Sequence, residues 1–440
     1  MARLRMTYGE HTAARRWSIT PIATRGPTPR RSSKRLTKLT KCSATQRSAA
    51  NTMISGQTGE CMTKLALVVR HSPASGRLVL PGVIRTISLV AGAHPPISSR
   101  PFSQEATQEF VPEERLSLRR NQNYGGGFDR IKPAIERIFI THLVDNSTAS
   151  EMLRNGDFDI VMGMDPATLE KITRHPDIRV VTYPSMVTCN IVVDRRIEQL
   201  QDPRGLEVLK YAIDYVGFRD VVAGGLADIH QSNFLPGMLG HDPALATKYT
   251  HDPAKAKQLM AELGYPNGYT IKLQNRKGSC GPVNYDMGLE FFQNNLLEIG
   301  ITAVMETSTD AKLWGGIADE SFRHFAFSGT GATYFDPDNP ASTRATSECY
   351  MLGWDDVEPQ ITARVDELLA MGKVEQDTAN RDAIYREMNE LMVAGCGYIT
   401  ILQVKGAIAY ESNVRNIVPA PHAFMLEFRY IIKEFGHGEG

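Results

Sequence analysis

From about residue 105 onward, strand-like segments alternate with helices that have clear start and stop signals. Asp-Pro pairs at Asp165, Asp202 and Asp252 predict helix starts, because aspartate caps free backbone N–H groups and proline fits the first turn. Gly264 and Gly300 follow apolar stripes with helical spacing and predict helix ends. Helices and strands in alternation predict an α/β fold with mixed sheets.

The same patterns predict the positions of strands, caps and core residues. Strands are predicted at residues 138–144, 158–162, 269–273, 301–305, 398–402 and 407–410. Asn146 is predicted to cap the helix that follows the first of these strands. Six side chains on helical apolar stripes are predicted to be buried: Leu259, Leu289, Phe292, Leu296, Leu368 and Met388.

The formal charge of the chain changes sign near residue 100. Residues 1–100 contain 17 Lys and Arg but only 2 acidic residues, Glu10 and Glu60, so they carry +15 and the remainder carries −15. The segment 1–104 is rich in Arg, Ser, Thr and Pro and has no apolar periodicity, which predicts disorder. A basic segment that binds nucleic acid or membrane is the alternative, and the composition also resembles an organellar transit peptide.

Signals for export, membrane insertion and catalysis are missing from the sequence. The apolar stretch 87–93 is too short and internal for a convincing signal peptide, and no run of about eighteen apolar residues occurs. There is no nucleophile elbow, phosphate-binding loop or His-Glu-x-x-His motif, and the six cysteines form no Cys-x-x-Cys pair. The cysteines are predicted to be buried, with one disulfide left open if the chain is exported. We therefore expect no enzyme activity, cofactor, metal or nucleic-acid partner, and keep an α/β enzyme as the lesser alternative.

Five segments resemble, in order, the extracytoplasmic solute-binding proteins of peptide-type ABC importers. The segment Asp202-Pro-Arg-Gly-Leu-Glu-Val-Leu-Lys-Tyr-Ala-Ile-Asp214 is similar to a helix of that family, although Gly205 is unusual there. Gly125 stands where the family usually has tryptophan, after an Arg-Asn-x-x-Tyr motif. The matching segments are 110–124, 149–160, 202–214, 235–268 and 335–339, with a closing match at 410–419.

The resemblance implies a periplasmic-binding-protein-like fold, in which two lobes joined by a hinge close around a solute. Lobe I would comprise residues 105–189 and 400–440, and lobe II residues 190–399. Such a protein is a periplasmic monomer that passes peptides or related small polar solutes to an ABC permease without covalent chemistry. The family's first lobe normally begins well before the match at Phe110, so part of lobe I is expected to be absent. A truncated fragment that binds no solute is the alternative.

The turn at 336–339 suggests where a solute would bind. In dipeptide-binding relatives an aspartate just before this turn holds the α-amino group of the peptide, and Thr333 occupies that position here. Threonine cannot neutralise an ammonium group, so the resemblance implies a neutral or acidic solute. An alignment that slips by one or two residues is the alternative. Asp336 is a further candidate for solute contact, whereas turn chemistry explains the pair Asp336 and Asp338 better than catalysis does.

Three further residues are candidates for solute binding. The same relatives hold the peptide carboxylate with an arginine after the strand 269–273, where Arg276 or Lys277 falls. Arg276 is preferred because its planar guanidinium can bind a carboxylate with two hydrogen bonds, with a solvated loop arginine as the alternative. Trp314 and Tyr334 are candidates for apolar walls of the site, with core packing as the alternative.

Overall fold

The structure, a computed structural model, describes residues within the unit Ala49–Gly440. The described residues are 65–68, 105–111, 114–121, 134–143, 145–275, 277–345, 352–420 and 425–434. Their strands are β1 (Leu65–Val68), β2 (Glu105–Val111), β3 (Arg115–Arg120), β4 (Arg137–His142), β5 (Ile160–Met162), β6 (Ile178–Val193), β7 (Ala227–Ile229), β8 (Thr270–Asn275), β9 (Ser279–Cys280), β10 (Val283–Asn284), β11 (Thr302–Thr307), β12 (Phe325–Gly331), β13 (Tyr398–Glu411), β14 (Val414–Arg415), β15 (Pro419–Ala420), β16 (Met425–Leu426) and β17 (Ile432–Lys433).

The helices lie mainly between residues 146 and 395. They are α1 (Asn146–Arg154), α2 (Pro166–Ile172), α3 (Pro203–Ala212), α4 (Tyr215–Gly217), α5 (Pro243–Ala246), α6 (Pro253–Glu262), α7 (Tyr285–Glu298), α8 (Asp310–Ala318), α9 (Asp338–Arg344), α10 (Trp354–Val357), α11 (Pro359–Val374) and α12 (Thr378–Gly395). A π-helical turn, Phe218–Val222, follows α4, and 3-10 turns occur at Glu198–Leu200 and Phe428–Tyr430. In the described part of the chain, no helix is both long and apolar enough to cross a membrane.

One mixed sheet of 11 strands organises the described residues. Its order is β11-β8-β12-β6-β13-β5-β1-β4-β3-β2, and β7 also pairs with β13. β8 is parallel to β11 and β12, whereas β6 pairs antiparallel with both β12 and β13. Parallel neighbours need a crossover, and the helices α7 and α8 supply the two that link β8, β11 and β12 in turn. The predicted α/β class with mixed sheets is confirmed.

Two long strands, β6 and β13, form the centre of this sheet. The sequence predicted separate strands at 398–402 and 407–410, but β13 is continuous from Tyr398 to Glu411. Two register shifts between Thr400 and Lys405 account for the interruption in the sequence pattern, because each shift breaks the alternation of side chains. The second half of β6 is buried on both faces, so it lacks the alternation that would have predicted it.

Helices cover both faces of the central strands. Odd-numbered residues of β6, such as Cys189, pack with helices α3, α6 and α7, whereas Met186 and Val192 pack with α8, α11 and α12. Neighbouring residues of a strand point to opposite faces, so these two clusters lie on opposite sides of the sheet. The predicted core is confirmed, since six residues are buried as expected: Leu259, Leu289, Phe292, Leu296, Leu368 and Met388.

Part of the segment 1–104 differs from the expectation of disorder. Leu65–Val68 forms β1, which pairs antiparallel with β4 on one side and β5 on the other. A short apolar segment such as this one can form a strand when a neighbouring strand pairs with it on each side, as β4 and β5 do here. The remainder of that segment lies outside the described residues.

Helix caps follow the predicted chemistry with one correction. Asp145, not Asn146, caps α1, because its carboxylate accepts a hydrogen bond from Thr148 N at 2.6 Å. The Asn146 side chain instead donates to Asp165, which caps α2 as predicted. An Asp-Pro start that was not predicted, at Asp242, opens α5.

Lys210 is a buried lysine at the end of a helix. Its Nζ donates to the carbonyls of Val393 and Ala394 at 2.6 and 3.0 Å, in the last turn of α12. Burial lowers the pKa of Lys210 to about 7, against a smaller opposing effect of Glu207. A neutral amine keeps two N–H groups, which is enough for both carbonyls.

We expect stability to rise with pH between about 7 and 10 relative to the variant Lys210→Met. In that range Lys210 is still protonated in the unfolded chain but has lost its proton in the folded chain. The free energy of unfolding therefore increases by at most about 1.4 kcal/mol per pH unit. Below about pH 7 both states are protonated and the slope vanishes. Urea unfolding of both proteins across this range measures the difference and cancels the other titrating groups. A difference that stays constant above pH 7 would show that Lys210 keeps its ordinary pKa.

Candidate functional site

Three parallel strands end at one edge of the sheet. β8, β11 and β12 end at Asn275, Thr307 and Gly331. Ligands of α/β sheets bind outside the carboxyl ends of such strands, where the connecting loops gather. The candidates from the sequence all follow one of these ends: Arg276, Trp314, Thr333, Tyr334 and Asp336. This carboxyl edge is therefore the candidate site.

The loop after β12 is closed by its own hydrogen bonds. Thr333 N donates to Asn339 Oδ1 at 2.7 Å, and the Tyr334 hydroxyl donates to Asp338 Oδ2 at 2.7 Å. Asp338 N donates to Asp336 Oδ1 at 3.0 Å. The Thr333 side chain is left exposed at the edge of the sheet. These bonds give the loop a defined shape before any solute binds.

Asp336 anchors this loop to helix α12. Its two carboxylate oxygens accept hydrogen bonds from Arg381 Nη1 and Nη2, both at 2.9 Å, and Arg381 Nε donates to Gly372 O at 2.8 Å. Partial burial alone would raise the pKa of Asp336, but the hydrogen bonds from Arg381 outweigh it and hold the pKa below its ordinary value. Because both oxygens are engaged, Asp336 positions the loop, and the geometry does not favour direct contact with a solute.

Replacing Asp336 by alanine is expected to lower the free energy of unfolding by about 1–3 kcal/mol, because Arg381 would lose two charged hydrogen bonds. Hydrogen exchange at residues 333–339 should become faster. The matched control is Glu387→Ala, which removes an exposed pair with Arg364 at 2.7 and 3.0 Å and should cost less than about 1 kcal/mol. Equal effects of the two substitutions on stability would contradict the anchoring role.

Two aromatic side chains stand exposed on the same loop. Tyr334 and Phe335 are 47% and 53% exposed, which favours a surface role for Tyr334 over the alternative of core packing. The Phe335 ring lies close to Gly237, where a Cβ atom would meet its Cζ at 3.4 Å. Burial, and then the hydrogen bond to Asp338, raise the pKa of Tyr334 to about 12, so the phenol is neutral at ordinary pH. The two rings can present apolar surface to a solute. Sequence reasoning missed Phe335, although two adjacent aromatic residues beside a turn were a signal for it.

The remaining candidates are placed differently. Trp314 is partly buried and packs against the apolar cluster of α8, α11 and α12, which favours core packing. Arg276 lies outside the described residues, and the Lys277 side chain beside it is almost fully exposed. Within the described ranges, no group of three His, Cys, Asp or Glu side chains could hold a metal ion.

A buried polar cluster that the sequence did not reveal lies beneath the carboxyl edge. Thr188 and Asn190 on β6 face Thr330 on β12: the two threonine hydroxyls are 3.3 Å apart, and Asn190 Nδ2 donates to Thr330 Oγ1 at 2.8 Å. The Thr400 hydroxyl donates to Asn190 Oδ1 at 2.9 Å, and Arg344 Nη2 donates to Thr188 Oγ1 at 3.3 Å. We name these five residues the floor cluster. Thr330 is only partly buried, so the cluster reaches the surface through it.

The sequence also matches a protein-family model. Residues 92–350, more than half of the chain, match the model of bacterial extracellular solute-binding proteins, family 5, middle region. The chain belongs to this family. The resemblance first seen in separate segments is confirmed, and the matched region of this family 5 protein contains the loop 332–339.

Curated relatives of this family 5 protein bear the names of peptide-binding proteins. A probable di/tripeptide-binding protein 5 of Pseudomonas aeruginosa (strain UCBPP-PA14) is 23% identical over 301 residues, which are 68% of this chain and 54% of the relative. The glutathione-binding protein GsiB of Escherichia coli (strain K12) is 24% identical over 291 residues, which are 64% of this chain and 55% of the relative. The chain thus spans little more than half the length of these two relatives.

Solved structures share this fold, among them DppA, an ABC transporter-associated periplasmic binding protein. The fold resembles DppA from Helicobacter pylori in complex with the peptide STSA, with a TM-score of 0.61, 21% identity, and coverage of 76% of this chain and 63% of that one. It also resembles NikA from Brucella suis in complex with Fe(III)-EDTA, with a TM-score of 0.63, 19% identity, and coverage of 76% and 68%. These likenesses confirm the predicted periplasmic-binding-protein-like fold.

Proposed function

We propose that this family 5 protein captures peptides or related small polar solutes at the carboxyl edge and passes them to the permease of an ABC importer. The family-model match carries this proposal, and the names of the curated relatives point to the same class of solute. The proposal includes a monomer located outside the cytoplasm, with no chemical step on the solute and no nucleic-acid partner.

A hinge between two lobes is part of the proposed function. The expected lobe boundaries, at 189/190 and 399/400, both fall inside the paired strands β6 and β13. Two register shifts of β13 lie in the same stretch, and such bulges bend and twist a strand locally. Lobe I (105–189 with 400–440) and lobe II (190–399) would therefore move about a short, already distorted part of the sheet.

The solute at this site is proposed to be neutral or acidic at the end that meets Thr333. The Thr333 hydroxyl offers one donor and two acceptor lone pairs, which suits an amide or a hydroxyl group but leaves an ammonium without a counter-charge. Both carboxylates of the loop already have cationic partners, Asp336 in Arg381 and Asp338 in Lys373. A peptide with a blocked amino group fits these side chains better than a peptide with a free one.

Thr333→Asp is expected to reverse this preference. An aspartate would pair with a free α-ammonium, so the variant should bind Ala-Phe roughly tenfold more tightly than wild type, while N-acetyl-Ala-Phe should lose affinity. Calorimetry with both peptides and both proteins measures the change. Thr270→Asp adds the same charge at the opposite end of β8 and serves as the control. Tighter binding of Ala-Phe than of N-acetyl-Ala-Phe by wild type would refute the proposed solute class, and identical binding by wild type and Thr333→Asp would place Thr333 outside the site.

A further inference from the structure

Arg344 is a buried cation without a matching anion in the described part of the chain. It lies at the end of α9 and is only 4% exposed. Its Nη1 donates to Asn233 Oδ1 and its Nη2 to Thr188 Oγ1, both at 3.3 Å, and both acceptors are neutral. Burial lowers the pKa of Arg344 below its ordinary value, but a guanidinium stays charged in proteins.

A second buried arginine shows what an ordinary structural site looks like in this chain. Arg195 is fully buried, but its Nη1 donates to Glu358 Oε2 at 2.8 Å and its Nε to Leu200 O at 2.8 Å. A buried charge is costly unless it is paired, so folding normally supplies the partner, as it does for Arg195. Among the described residues Arg344 has no such carboxylate, so the free-energy cost of burying its guanidinium is not offset there. This points to an anion from outside the described residues.

The hydrogen bonds of the floor cluster lead from Arg344 to the surface. Thr188 Oγ1 accepts from Arg344, and its own proton can go to Thr330 Oγ1, 3.3 Å away. Asn190 Oδ1 and the Thr330 carbonyl, both at 3.4 Å, are its other acceptors. Thr330 Oγ1 also accepts from Asn190 Nδ2 at 2.8 Å. When Thr188 is the donor, both lone pairs of Thr330 Oγ1 are engaged and its own proton is free to donate outward. Such a chain of donors is strengthened by the charge at its inner end.

We propose that Arg344, acting through Thr188 and Thr330, makes the carboxyl edge selective for a carboxylate group of the solute. Thr330 is the residue that would contact the carboxylate, and Arg344 is a positioning residue that supplies the charge. Thr330 lies three residues before Thr333 at the same strand end, so the two residues would meet different parts of one solute. This inference rests on the proposed function, because it names the solute class of the same site.

His230 is a second buried basic side chain in this region. It is 3% exposed, and its Nε2 has no hydrogen-bond partner within the described residues. Burial and then His241 are the main causes that lower the pKa of His230 to about 3. A hydrogen bond with Phe234 opposes them, the charge of Arg344 adds a smaller lowering effect, and a hydrogen bond with Ser232 opposes it. His230 is therefore neutral at ordinary pH, so of the two buried basic side chains only Arg344 carries a charge.

The first test needs no solute. Thr330→Cys places a thiol at the outer end of the chain of hydrogen bonds, and its pKa is read from the pH dependence of alkylation at residue 330 by peptide mass mapping. At effective protein dielectric constants, a charge a few side-chain lengths away should lower this thiol pKa by about one unit relative to the double variant Thr330→Cys, Arg344→Gln. Arg364→Gln, which removes an exposed arginine of α11, is the control and should leave the thiol pKa unchanged. Equal thiol pKa values with and without Arg344 would overturn the proposal whatever the solute is.

The second test measures selectivity with peptides of four charge states. The probes are Ala-Phe, Ala-Phe amide, N-acetyl-Ala-Phe and N-acetyl-Ala-Phe amide. The wild-type chain should bind N-acetyl-Ala-Phe roughly tenfold more tightly than its amide, and Arg344→Gln should abolish that ratio without weakening binding of the neutral amide. Arg344→Lys keeps the charge and should keep most of the ratio.

Each outcome separates this inference from the proposed function. A tenfold ratio that persists in Arg344→Gln overturns the role of Arg344 while peptide binding stands. If none of the four peptides binds, the proposed function fails, whereas the thiol pKa still decides the electrostatic claim. Circular dichroism and thermal unfolding verify that the variants are folded. Arg344→Gln should be at least as stable as wild type, because it removes an uncompensated buried charge.

Discussion

Phe292→Ala is expected to lower the free energy of unfolding by about 3–5 kcal/mol. Phe292 lies in the middle of α7 and is fully buried in the cluster that also contains Leu289 and Leu296. The substitution removes most of an aromatic side chain from a close-packed layer between α7 and the sheet, and the surrounding residues can fill the cavity only in part. Urea unfolding followed by circular dichroism measures the change.

The control for this substitution lies on the same helix. Leu297 is 64% exposed, so Leu297→Ala should change the free energy of unfolding by no more than about 0.5 kcal/mol. If Phe292→Ala also cost less than about 0.5 kcal/mol, the register of α7 against the sheet would be wrong.

Glu358→Ala is the second substitution with a large expected effect. It would leave the fully buried guanidinium of Arg195 without its carboxylate and remove the acceptor of the Trp354 Nε1 hydrogen bond at 3.1 Å. Breaking a buried ion pair from one side typically costs about 3–5 kcal/mol, because the remaining charge stays buried. Thermal or urea unfolding measures the loss.

An exposed ion pair supplies the comparison. Asp220→Ala breaks a contact of 2.7 Å with Arg219 on the surface, where solvent screens the pair, and should cost much less than Glu358→Ala. A double substitution, Glu358→Ala with Arg195→Met, should recover part of the lost stability, since the unpaired charge is gone. Failure of the second substitution to recover any stability would show that hydrogen bonding by Glu358, not the charge of Arg195, determines the cost.

Local signals in the sequence predicted much of the fold. Helix starts at Asp165, Asp202 and Asp252 depend on residues within one turn, so they can be read without knowing the tertiary structure. The apolar stripe that contains Phe292 likewise depends only on residue spacing within one helix. β6 and the continuity of β13 could not be predicted in this way, because their pairing joins residues about two hundred positions apart and overrides the local pattern.

The candidate site was predictable only where its residues lie in one short segment. Thr333 and Tyr334 follow from the position of the turn, and the structure places both at an exposed loop. From the sequence alone, Asp336 was a candidate for solute contact. Its partner Arg381 lies forty-five positions away, so local sequence patterns do not reveal the pair. Thr188 and Arg344 were missed for the same reason, since a polar residue in an apolar strand gives no indication of what it will meet.

Hydrogen exchange of the 440-residue chain, with and without N-acetyl-Ala-Phe at a concentration that saturates the calorimetric signal, tests the proposed binding site most directly. We predict slower exchange on peptide binding at residues 329–339 and at 186–190, and no change in α11. Protection confined to other segments, or a calorimetric titration without any binding of the four peptides, would contradict the proposal that this chain captures peptide-type solutes at the carboxyl edge of β8, β11 and β12.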